Sequence, residues 1–309
     1  MATLALTVSY DGRAFRGSQV QPAARTVQGV LAEALATLYR DPVATVFAGR
    51  TDAGVHAAAQ VVSLTERGAE RTPATVQAAL NRMLPDDVAL VGASFAPSAF
   101  NARFDARWRE YRYRVWSGER EPLAGGKVWR RRAVLCLPAM EQAANALQGT
   151  HDFASFVGGG EGVPWSDRRG TGAGTVRTLF ASEVREVEPW WRPPALDGGR
   201  LFEYRVVGDG FLPRMVRSLV SALVDVGRGM RDPDWIAALL RQADRRCGPG
   251  TAPAHGLTLW RIGYDVYPRP GFLDGTAARV AQDVPPRGHE DDTRGSLDRG
   301  TANLVTEGA

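Results

Sequence analysis

Phe47-Ala48-Gly49-Arg50-Thr51-Asp52-Ala53-Gly54-Val55-His56-Ala57 decides how the rest of the chain is read. An apolar run, Val43 to Ala48, leads into it, and a second, Ala58 to Leu64, leads out. Between them lie two glycines, an arginine, an aspartate and a histidine. The pattern predicts a strand, a tight polar loop and a strand. The glycines permit backbone angles that other residues resist, so the loop can turn sharply and let a partner approach.

On the N-terminal side, Leu4, Leu6, Val8 and Tyr10 alternate with small or polar residues and predict a first strand, ending at the turn signal Asp11-Gly12. Thr26 is a candidate N-cap for an amphipathic helix over 27–40, in which Val27, Val30, Leu31, Ala34, Leu35 and Leu38 recur at helical spacing. Thr72-Pro73 opens a second helix to about Met83, and Val88 to Phe95 reads as a strand. The order βαββαβ is the ferredoxin-like pattern, with two helices over one face of an antiparallel sheet.

The second half reads as a varied repeat. Strands are expected at Arg109–Trp116, Val128–Leu135, Thr175–Glu186, Arg200–Val207 and Leu257–Tyr264. Helices are expected from Pro138 to Leu147, from Phe211 to Val226, and from the Asp232-Pro233 cap to about Ala243. Gly158–Gly174 reads as a long mobile loop and 268–309 as a disordered tail, rich in Pro, Gly, Asp and Arg without periodicity. The expected domains are 1–105 and 106–267.

The 309 residues suffice for two cores, and no stretch approaches the length of a membrane-spanning helix. The N-terminus enters a strand directly and does not read as a signal peptide. Cys136 and Cys247 are far apart and in no metal-like spacing, so they read as unpaired thiols of a cytoplasmic protein. The net charge is +4, almost all of it from arginine, since Lys127 is the only lysine. Without the acidic tail the remainder holds 33 basic and 27 acidic groups, a balance that favours a polyanionic partner, though weakly.

Four stretches carry candidate chemistry. Most aspartates in a Gly-rich loop only form turns. Asp52 could instead be a carboxylate paired with Arg50 and able to act as nucleophile or base. His56 has no partner at ligand spacing, so it reads as a loop-orienting residue and no metal is expected. In Arg109–Trp116, Tyr111, Tyr113 and Val115 would share one strand face, and Arg112, Arg114 and Trp116 the other. That is either a core face and a solvated face, or an aromatic for stacking on a base beside arginines for phosphates. Arg214 and Arg217 fall in the first turns of an apolar helix, against its dipole. An anionic partner would offset this: a structural acid, Asp52 or a phosphate. Ala254-His255-Gly256-Leu257 is by itself only a loop entering a strand.

Taken together, these segments resemble the TruA-type tRNA pseudouridine(38–40) synthases over residues 3–267. Gly49 to His56 looks like that family's catalytic loop. Supporting matches, in the family's order, include Ser9-Tyr10-Asp11-Gly12, Asn101-Ala102-Arg103-Phe104, Tyr111-Arg112-Tyr113 and Met215-Val216-Arg217. The resemblance implies that Asp52 is the essential aspartate and Arg50 the arginine paired with it. It implies that Tyr111 packs on the target uracil, that Arg217 is a second active-site arginine, and that Leu257 touches the base. It also implies an α+β pseudouridine synthase fold, with two pseudo-symmetric ferredoxin-like (RRM-like) domains sharing one extended, mainly antiparallel sheet and the site in the cleft between them. A homodimer acting on tRNA, without cofactor, is expected. A synthase for other RNA uridines and a non-catalytic tRNA-binding protein are the alternatives. Ser18 departs from the family's usual Trp and Asn101 from its usual His.

Overall fold

Leu4, Leu6, Val8 and Tyr10 are all buried and form one face of strand β1 (Thr3–Tyr10). The computed structural model describes residues 3–65, 71–158, 174–192 and 198–265. The expected 158–174 loop, apart from its end residues, and the expected tail lie outside them. Helix α1 (Val27–Tyr39) begins where Thr26 Oγ1 accepts the N–H of Gly29, and its buried residues Val27, Leu31 and Leu35 pack on the sheet. Strands β2 (Val46–Phe47) and β3 (His56–Thr65) flank the Asp52 loop. Helix α2 (Pro73–Asn81) starts at the Thr72 cap with proline in its first turn. Strand β4 (Val88–Ala96) completes the first half.

The second half runs β5 (Trp108–Gly118), β6 (Trp129–Arg131), α3 (Leu137–Asn145), β7 (Gly149–Asp152), β8 (Val176–Val187) and β9 (Gly199–Gly208). Helices α4 (Met215–Gly227) and α5 (Asp234–Gln242) and strand β10 (Leu257–Gly263) complete it. One sheet runs β4-β1-β3-β10-β5-β9-β8-β7, with β2 on β3 and β6 on β5. Among the described strands, only β3–β10 and β5–β6 are parallel pairs. The last strand therefore joins the halves: β10 pairs with β3 on one side and, antiparallel, with β5 on the other. The largest apolar core, from Leu4 and Leu31 to Leu219 and Ile262, runs under both, and smaller clusters around Trp116 and Trp108 lie apart from it.

Three expectations need adjustment. Strand β6 is three residues long, not eight, because the chain leaves the sheet to donate from Cys136 N–H to Gly227 O at the end of α4. Helix α4 begins at Met215, not Phe211. Pro213 and the left-handed Arg214 (φ 58°) shape a turn before it instead. Strand β7, Gly-Thr-His-Asp, has no apolar alternation and so gives no strand signal in the sequence.

Gly12 packs against the backbone of the Asp52 loop and helps to set its position. A Cβ there would sit 1.9 Å from Val55 O. Gly12→Ala is expected to destabilise the protein by about 2 kcal/mol through forced backbone movement, read as a lower urea midpoint. An unchanged midpoint would mean the loop yields freely.

Candidate active site

The loop from Ala48 to Val55 is held at both ends and in the middle. Gln60, fully buried on β3, donates from Nε2 to Gly49 O at 2.8 Å. Tyr10 OH and Thr51 Oγ1 lie 2.8 Å apart. Burial pushes the Tyr10 phenol up to about 12, so it stays protonated. Ser18 clasps Thr51 twice: Ser18 Oγ accepts the Thr51 N–H at 2.9 Å, and Ser18 N–H donates to Thr51 O at 3.1 Å. The loop turns at Gly54, whose φ of +81° disfavours other residues. The Asp52 side chain is left 41% exposed at the mouth of a cleft.

The partner of Asp52 comes from across the molecule. Arg217, in the first turn of α4, donates from Nη1 to Asp52 Oδ2 at 3.2 Å and from Nε to Ala252 O at 2.7 Å. Those two acceptors offset the unfavourable position of a cation at a helix N-terminus. Arg50 is exposed and makes no hydrogen bond or ion pair with the described residues. The expected Arg50–Asp52 pair is therefore not formed, because the fold brings Arg217 onto the carboxylate and leaves the Arg50 side chain to solvent.

The cleft, about 840 Å³, is lined by Asp52, Arg50, Tyr111, Phe211, Arg214 and Leu257 among others. A smaller one of about 290 Å³ shares Arg50, Asp52 and Arg214 with it and adds Arg16 and Arg217. Tyr111, on β5, packs edge-on against Phe211 at 5.1 Å between ring centroids. Its phenol is raised well above the usual range, chiefly by burial. Leu257 is the first residue of β10, paired in register with Tyr113. All the expected residues thus meet here, from the loop, β5, α4 and β10.

A family model described as tRNA pseudouridine synthase matches residues 6–105 and 143–265 of this sequence. The chain belongs to the tRNA pseudouridine synthase family. Proteins named tRNA pseudouridine synthase A align with it along most of their length. The one from Anoxybacillus flavithermus is 40% identical over 271 residues, covering 86% of this chain and 100% of the relative. Those from Solidesulfovibrio magneticus and Bacillus subtilis are 43% and 40% identical, each covering 85% of this chain and 92% and 99% of the relative. As a member of this family the protein is an isomerase, and its mixed sheet with helical layers is the pseudouridine synthase fold.

Several residues that organise this synthase cleft give no signal in the sequence. Arg109 donates to four carbonyls, those of Ala48, Arg103, Ala106 and Asp209, at 2.9–3.3 Å. It ties the start of the Asp52 loop to the turns on either side. Ser18, in sequence only a departure from the family, is the loop's clasp. The Ala252–Gly256 segment is tied three ways: Ala252 O to Arg217, Pro253 O to Tyr113 OH at 2.8 Å, and His255 O to His56 Nε2 at 3.1 Å. Arg112 and Arg114, candidate phosphate holders by sequence, pair instead with buried Glu110 and Glu203, at 2.9 to 3.4 Å, on the sheet face away from Tyr111. Burial pushes Glu203 up, but Arg185, Arg114 and Arg112 outweigh it and hold the carboxyl below its ordinary value. Among the described residues no group of three or more His, Cys, Asp or Glu could hold a metal, and no helix is long and apolar enough to cross a membrane. Both cysteines are unpaired and exposed.

His56 orients the loop. The Gly12 N–H lies 3.2 Å from Nδ1, Asp11 Oδ1 lies 3.2 Å from the same nitrogen, and Nε2 faces His255 O at 3.1 Å. Burial pushes its pKa below the ordinary 6.5, and nearby Asp11 only partly offsets this. An unfolded histidine takes up a proton near 6.5, whereas the folded one resists until lower pH. Acidification below that value therefore favours the unfolded chain. The urea midpoint is expected to fall from about pH 7 to about pH 5.5, and less steeply in His56→Gln, with His255 supplying the remainder. Identical slopes for both proteins would remove His56 as a source.

Proposed function

We propose that the protein converts uridine to pseudouridine at positions 38–40 of the tRNA anticodon stem-loop, with the Asp52 carboxylate as the reacting group. The observation that carries this is the meeting of Asp52, Tyr111 and Leu257 around one cleft, with Arg217, from a fourth segment, bonded to Asp52 from the adjoining smaller one. The reaction breaks the N1–C1′ bond, turns the freed uracil and joins C5 to C1′. The C5 proton leaves and N1 gains one, so the net change is an isomerisation. A carboxylate serves the first step in either of two ways: it attacks C1′, or it takes the C2′ proton on the way to a glycal. Arg217 holds it in place. Tyr111, kept neutral by burial, stacks on the loose uracil and offsets part of the few kcal/mol needed to extrude it. It is also the nearest candidate to assist loss of the C5 proton. Leu257 supplies the apolar contact beside it. The exposed Arg50, with Arg16 and Arg214 along the smaller cleft, faces the RNA phosphates, so binding weakens steeply with salt. The proposal includes a cytoplasmic enzyme acting as a homodimer that carries one tRNA across both subunits. A monomer mass in sedimentation with tRNA would remove that last part.

The test is to incubate the wild type with an unmodified transcript bearing uridines at 38–40 and to map pseudouridine chemically. Product at those positions is expected. Product only at other uridines would replace the site while keeping the synthase. No product on any tRNA would overturn the function.

A further inference from the structure

Phe104 lines the Asp52 cleft yet is 69% exposed, more than any other described phenylalanine or tryptophan. A single exposed apolar side chain is ordinary. What sets this one apart is how firmly its backbone is held. Asn101 Oδ1 accepts the N–H groups of Arg103 at 3.0 Å and Phe104 at 3.2 Å. Asp105 Oδ2 accepts the Asn101 N–H at 2.8 Å, and the Asp105 N–H returns to Asn101 O at 3.0 Å. Arg109 donates to the carbonyls of Arg103 and Ala106 as well as to Ala48, where the Asp52 loop begins. One guanidinium thus sets the turn that carries Phe104 relative to the loop that carries Asp52. The Arg103 guanidinium lies 5.4 Å from the Phe104 ring centroid. A rigid turn therefore presents an aromatic ring and a cation together at the cleft.

We infer that Phe104 stacks on the base adjoining the uridine that enters the cleft, with Arg103 at the neighbouring phosphate. This rests on the reading that a uridine is extruded toward Asp52. Extrusion uncovers one face of the neighbouring base. An aromatic ring can cover that face whatever the base, because every base has a π-face. Tyr111 is already assigned to the extruded uracil, deeper in the cleft against Phe211, so the neighbouring base needs a second ring. Phe104 is a substrate-positioning residue and leaves the chemistry to the groups below it.

The test uses the full chain and anticodon stem-loop RNAs, with kcat/KM for pseudouridine formation as the readout. Phe104→Ala is expected to lose about 10- to 100-fold. Phe104→Tyr should stay close to wild type, and Phe104→Leu, apolar but without a π-face, should fall with Phe104→Ala. Melting temperatures should match throughout, because the ring is exposed. A second arm places an abasic site on the 5′ or the 3′ side of the target. At one of these the wild type should lose a factor similar to that of Phe104→Ala, and the variant should lose little more. Wild-type kcat/KM in Phe104→Ala, equal values for Leu and Tyr, or full additivity at both abasic sites would overturn the inference while leaving the proposed function standing. Absence of pseudouridine with the wild type would overturn both.

Discussion

Asp52→Asn is expected to bind tRNA as the wild type does and to form pseudouridine at least about 10³-fold more slowly. The substitution keeps the side-chain shape and an oxygen that Arg217 Nη1 can still meet. The loop does not depend on the carboxylate for its form. Its ties run through backbone groups and neighbours: the Val55 N–H to Asp52 O, Ser18 to Thr51, and Gln60 to Gly49 O. With 41% of the side chain exposed, little folding energy rests on it. What is lost is the negative charge that either attacks C1′ or takes the C2′ proton. Gel-shift affinity and single-turnover mapping of pseudouridine measure the two halves of the prediction separately. Equal rates for variant and wild type would remove Asp52 from the chemistry. Lost binding with an unchanged rate at saturation would make it a docking group.

The loop around Asp52 is legible in the sequence because its signal is local: glycines and polar residues between two apolar runs. Helices α1 and α2 are legible for the same reason, since Thr26 and Thr72-Pro73 cap them through bonds three residues long. The parts that stay hidden depend on where distant segments come to rest. Arg50 lies two residues from Asp52 and invites the pairing, while Arg217 reaches the carboxylate only because α4 packs under the sheet. Arg109 looks like one more arginine at the start of a strand. Its role emerges only when separate turns bring their carbonyls to it. The charge on Arg112 and Arg114 is visible in the chain. Glu203, which helps to neutralise both, stands on β9 directly opposite Arg114 in the sheet but 89 residues away in sequence. The family resemblance marks Arg217 and Leu257 as site residues, whereas their local sequence leaves them as a helix start and a strand start.

The two arginines near Asp52 are expected to separate kinetically. Arg217→Ala should lower kcat by about 100-fold with a modest change in KM, because it removes the group that fixes the carboxylate. The guanidinium is only 16% exposed and meets two acceptors in different directions, Asp52 Oδ2 and Ala252 O. Arg217→Lys should recover little, since one ammonium on a flexible stem does not reproduce that fork. Arg50→Ala should instead raise KM and reduce the salt slope of tRNA binding by about one, the signature of a lost phosphate contact, with kcat largely kept. Steady-state kinetics at two or three salt concentrations distinguish the cases, and thermal melting of Arg217→Ala checks that the Ala252–Gly256 segment still docks through Tyr113 and His56. A larger kcat loss in Arg50→Ala than in Arg217→Ala would return the carboxylate's working partner to Arg50, and would require the exposed side chain to swing onto Asp52 when RNA fills the cleft.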